Sequence, residues 1–120
     1  MQIQSYRDLE IWQRSMDLAL VCYQVTKGFP RTETFGLASQ LQRAAVSVPA
    51  NIAEGRGRRS TGDFLRFLNI ASGSLAETET HLMLAQRLGY IKSEQLKTLL
   101  VCAAQIGKML NGLRRSLNNQ

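Results

Sequence analysis

Apolar residues recur at separations of three and four along almost the whole chain, and alternating Val, Ile and Thr runs are nearly absent. That periodicity predicts an all-α protein with four helical segments. The first sets Leu9, Trp12, Met16, Ala19 and Tyr23 on one stripe, opened by Ser5 with Asp8 three residues on, and stops at Gly28 before Pro30. The second, from near Thr32 to Gly55, carries Ala38, Leu41, Ala45, Val48 and Ile52. Ser60 and Asp63 repeat the capping signature and launch the third, whose seam is Phe64, Leu68, Ala71, Leu75, Leu82 and Ala85, ending at Gly89. The fourth begins at Ser93 and spaces Leu96, Leu99, Ala103, Ile106, Leu110, Leu113 and Leu117 as a bundle seam. Helices of ~20 residues are ~30 Å long, and their short connections predict an antiparallel up-down-up-down four-helix bundle, one domain spanning residues 1–120.

Some apolar surface is left over. The first segment has a second stripe, Ile11, Leu18, Cys22 and Val25, and the third adds Phe67 and Ile70. Either the core face is broad or the surplus meets another subunit, which predicts a homo-oligomer. The second segment also bears a polar stripe of Gln40, Arg43, Ser47, Asn51 and Glu54. A solvated face accounts for it, and so does a partly buried contact in which Arg43 and Glu54 pair across subunits. Pro49 removes its own N–H and crowds the carbonyl of Ala45, so this helix is expected to bend there, with Ser47 and Asn51 placed to satisfy the freed backbone groups.

Composition narrows the chemistry. At 120 residues and 44% hydrophobic content the chain can close one core without disulfides or a metal. No apolar run is long enough to cross a membrane and the start MQIQSYRDLE is unlike a signal peptide, so the expected location is cytoplasmic. Cys22 and Cys102 each sit among apolar neighbours and read as buried free thiols. GRGRRST has glycines before a helix but neither a preceding strand nor a Gly-Lys-Ser/Thr ending, which argues against a nucleotide loop. His81 is the one histidine; with Glu77 and Glu54 it supplies at most half of a two-metal bundle site, and no nucleophile-elbow sequence surrounds it. No cofactor and no enzymatic activity are expected.

The net charge is +6, from 15 Lys and Arg against 9 Asp and Glu, and favours polyanionic partners. Arg56, Arg58 and Arg59 lie in the connector after Gly55, with Arg66 two turns into the next helix, and Arg114 and Arg115 form a second basic pair. A solvated basic loop is one reading. Binding of RNA or DNA phosphates is the other, because guanidinium forks match phosphate oxygens. Aromatics are not interleaved with these arginines, so such binding would follow the backbone with little sequence preference. The competing function is a structural or protein-interaction scaffold whose charge is incidental.

The order YRDLEIWQRSMDLA, FPRTETFGLASQLQRAAVSVPANIAEGRGR and FLRFLNIASGSLAETETHLMLAQRLGYI resembles the bacterial four-helix-bundle proteins encoded in intervening sequences of 23S ribosomal RNA genes, from Tyr6 to Ile91. SVPANIAEG is the most specific part. The resemblance implies a homopentamer, which would give the second apolar stripe and the polar stripe a use, and carries no established activity. It directs attention to Gln40, Arg43, Ser47, Pro49, Asn51, Glu54 and Gly55, with Gly73, Ser74 and Glu77. The fold is also similar to that of the accessory protein of diversity-generating retroelements, a basic pentamer that works with a reverse transcriptase and associates with nucleic acid.

Overall fold

A computed structural model describes residues 5–119. Four α-helices carry the fold, α1 (Glu10–Thr26), α2 (Leu37–Arg56), α3 (Thr61–Arg87) and α4 (Ser93–Asn118), with short 3-10 turns at Tyr6–Asp8 and Arg31–Glu33; there is no strand among the described residues. The helices form a four-helix bundle in which α2 packs on α1 and α3, α4 packs on α3 and α1, and the backbones of α1 and α3 stay apart on the diagonal. Ser47 lies opposite Ser74 and Gly55 opposite Phe64 and Phe67 between α2 and α3. Between α3 and α4, Leu75 meets Gly107 and Asn69 meets Arg114; between α1 and α4, Arg14 meets Gln105.

The helix ends follow local chemistry. Ser60 accepts the N–H of Asp63 at 3.1 Å and starts α3 as expected. The Ser5–Asp8 capping box forms with both of its bonds, but it closes the first 3-10 turn; extended Leu9 intervenes before α1. Gly89, at φ 82°, ends α3: its N–H bonds Gln86 and that of Tyr90 bonds Ala85, a left-handed stop suited to glycine. α2 has no side-chain cap of its own. Instead Glu33 reaches forward to the N–H of Leu37 at 3.1 Å and accepts the Tyr90 hydroxyl at 2.8 Å, tying the α1–α2 connection to the one before α4.

Both bonds hold the Glu33 carboxyl below its ordinary value of 4.5, the Leu37 amide more than the Tyr90 hydroxyl. The native state therefore binds this proton less tightly than the unfolded chain. The stabilisation is complete above the ordinary carboxylate value and is lost as pH falls through the lowered native one. Denaturant unfolding of Glu33→Gln should accordingly be less stable than the parent near neutrality, with the gap narrowing on acidification. A gap that does not change with pH would show that the carboxylate contributes nothing through its charge.

The expected seams of α2, α3 and α4 face the core, with Leu41, Val48, Ile52, Leu68, Leu82, Ile106 and Leu110 among the most enclosed side chains. The first helix departs from expectation. Ile11 and Leu18, for which a broad core face and a subunit interface are the two sequence readings, are 4% and 2% exposed in the chain's own core beside Cys22, as the broad core face has it, and Val25 is half-buried. Met16 and Tyr23, read as core, are exposed together with Leu20. Ser15 and Thr26 complete the true inward stripe. Their hydroxyls bond the carbonyls of Ile11 at 2.7 Å and Tyr23 at 2.8 Å, which lets polar residues occupy buried positions. The one polar break in the α3 seam, Thr78, is fully buried by the same device, bonding the Ser74 carbonyl.

Candidate nucleic-acid interface

The segment SVPANIAEGRGRRSTGDF forms the second half of α2, its connector and the first turn of α3. Pro49 lies within a continuous α2. Asn51 donates to the Ser47 carbonyl at 2.8 Å and to its hydroxyl at 2.9 Å, and that hydroxyl is 2.8 Å from Ser74 Oγ. Ser47 and Asn51 therefore brace the turn around Pro49 and bond α2 to α3, which differs from the expected repair of the carbonyl freed at Ala45. Gln40, Arg43 and Ser47 line a groove of about 360 Å³ with Ser74, Glu77 and His81, so the polar stripe meets the second half of α3 along one face. Glu54 is drawn elsewhere. It accepts from Arg58 at 2.7 Å within its own chain.

Gly55 fixes the crossing of α2 and α3. A Cβ there would lie 2.8 Å from Phe67 Cβ and 2.9 Å from Phe64 Cδ1, so only glycine lets the helices approach this closely. The approach sets Phe67 beneath the arginines. Arg58 and Arg66 each place a guanidinium 4.8 Å from the Phe67 ring centroid, a cation–π arrangement that holds two positive groups on one buried aromatic. Periodicity reads Phe67 as surplus apolar surface; the connector folding back over it is invisible in sequence.

The second basic pair joins the first. Arg114 donates to Asn69 at 2.9 Å, one turn beyond Arg66, and is also bonded to Asn111. Lys108 lines a neighbouring groove with Glu10, Arg14, Gln105 and Met109. Segments 5–14, 48–74 and 107–119, which these contacts bring together, hold nine of the fifteen basic residues and four of the nine acidic ones, or +5 of the net +6. Arg58, Arg66 and Arg114 are held by partners in the chain. Arg56, Arg59, Lys108 and Arg115 make no ion pair or side-chain hydrogen bond among the described residues, leaving their full charge for a ligand.

Other chemistry has little to work with. No cluster of three or more His, Cys, Asp or Glu suited to a metal occurs among the described residues, and no described helix is long and apolar enough to cross a membrane. Both cysteines are free; burial, reinforced by Cys102, pushes the Cys22 thiol up to about 12, and burial also raises Cys102. Neither is a ready thiolate nucleophile.

The model of the 23S rRNA-intervening sequence protein family matches residues 7–112. The chain belongs to that family. Among solved structures it is similar to a protein of unknown function from the S23 ribosomal protein family of Bacteroides thetaiotaomicron, with 28% identity over 88% of this chain and 95% of that one and a TM-score of 0.81. No curated protein matches. The family match covers α1, α2 and α3 and continues into α4 as far as Gly112, beyond the Ile91 limit of the resemblance read from sequence.

Proposed function

We propose that this family member is a non-enzymatic, cytoplasmic homo-oligomer that associates with RNA or DNA through the basic region around Arg56, Arg58, Arg59 and Arg66. The observation that carries the reading is the gathering of +5 of the net charge into one region whose free cations are Arg56, Arg59, Lys108 and Arg115. The helix contacts run in opposite numerical senses, Ser47 to Ser74 and Gly55 to Phe67, as in an antiparallel up-down-up-down bundle. Assembly is supported by exposed apolar residues on two helices, the stripe Met16, Leu20 and Tyr23 on α1 and the same-face pair Ile70 and Leu84 on α3. These helices occupy diagonal positions, and a contact between two different patches is the kind from which a head-to-tail ring is built. Five copies, the number implied by the family resemblance, would carry about +30 and let weak phosphate contacts add up.

Binding should weaken steeply with salt. Each phosphate contact removed lowers the slope of log affinity against log salt by ~0.9 for a duplex. Arg59→Ala should give that full reduction, and Arg58→Ala less, because Arg58 is already offset by Glu54. Titration by fluorescence anisotropy tests this. Absence of binding at low salt would sink the nucleic-acid reading and leave the scaffold.

A further inference from the structure

We infer that the ligand of the basic region is double-stranded and is held by its phosphates, with single strands bound more weakly; this rests on the nucleic-acid reading above. Proteins that prefer single strands combine positive charge with open aromatic faces, and stacking adds ~1–3 kcal/mol per base. Here every aromatic near the cations is already engaged. Phe67 is buried under Arg58 and Arg66, Phe64 is half-buried against the core, and Tyr6 and Trp12 pack edge to face at 5.2 Å. The open rings lie elsewhere: Phe35 is at the turn before α2, and Tyr23 is near the end of α1, beyond the contact between Arg14 and Gln105.

With stacking unavailable, charge density decides. A duplex carries one negative charge per ~1.7 Å of axis, twice that of one strand at the same rise. The bundle is 25 Å across, so a duplex lying along that width carries ~15 phosphates over the span and a single strand at the same rise about half as many. The cations suit such a target. Arg58, Arg66 and Arg114 are fixed on Glu54, Phe67, Asn69 and Asn111, while Arg56, Arg59, Lys108 and Arg115 make no ion pair or side-chain hydrogen bond among the described residues.

The test compares a short mixed-sequence duplex with each of its strands, in DNA and in RNA, by fluorescence anisotropy across a salt series. The expected result is duplex binding ~10-fold or more tighter at equal nucleotide concentration, with a steeper salt slope, in both chemistries. The double variant Arg56→Ala, Arg59→Ala should lower the duplex slope by ~1.8. Single strands bound as tightly as the duplex would overturn the inference while leaving nucleic-acid binding intact. Binding of neither form at low salt would overturn the underlying reading and this inference with it.

Discussion

Leu18→Asp should abolish folding, whereas Leu20→Asp should leave the fold intact and weaken assembly. The two leucines are two residues apart on α1, yet one is 2% exposed and the other 59%. Truncating a buried leucine costs ~2–5 kcal/mol. An unpaired carboxylate enclosed among Ile11, Cys22 and their neighbours adds several kcal/mol more. Together these match or exceed the ~5–15 kcal/mol by which domains are stable. At Leu20 the same carboxylate stays in water, and the expected change in fold stability is within ~0.5 kcal/mol. Circular dichroism melting reads the first effect and size-exclusion light scattering the second. A folded Leu18→Asp would contradict the orientation of α1. Unaltered assembly of Leu20→Asp would remove the outer α1 stripe from the subunit contact.

Gly55→Ala should destabilise, opposite in sign to Gly73→Ala. At Gly55 the new Cβ meets Phe67 Cβ, an atom next to the backbone that no rotamer change can move, together with the Phe64 ring and, at 3.3 Å, its carbonyl oxygen. Overpacking of this kind costs ~1–3 kcal/mol, against which the gain in helix propensity is ~1 kcal/mol. A Cβ at Gly73 meets nothing within 4 Å, so there the propensity gain stands alone. Thermal melts should fall for the first variant and rise for the second. The first should also loosen the Arg58–Phe67–Arg66 stack and lower affinity for nucleic acid beyond what its stability loss explains. Equal melting temperatures for both would show that α2 can move off α3 at no cost.

Much of the fold was legible because spacing is a direct record of burial when a helix has one apolar stripe. Ala38, Leu41, Ala45, Val48 and Ile52 are such a stripe and all are buried; the α4 seam likewise places Leu99, Ala103, Ile106 and Leu110 inside. The first helix offered two stripes, and of the larger residues Trp12 packs against the core whereas Met16 and Tyr23 point outward. Ser15 and Thr26 disguised the inward stripe as polar, because their bonds to carbonyls of the same helix are a local geometry that composition does not display. In the candidate site, the arginines after Gly55 were evident from charge alone. Their division into fixed and free groups was not, since Glu54, Phe67, Asn69 and Asn111 select which guanidiniums are already occupied.

The sequence by itself determined the four helices, the start of α3 at Ser60 and its stop at Gly89, and the seams of three of them. These depend on neighbours within a few residues, where propensity, capping and periodicity act. Tertiary structure alone decided which face of α1 turns inward, why Gly55 admits no side chain, and that Arg114 joins the arginines of the α2–α3 connector. Those outcomes depend on what lies across a helix interface, and the energy of close packing has no signature along a single chain.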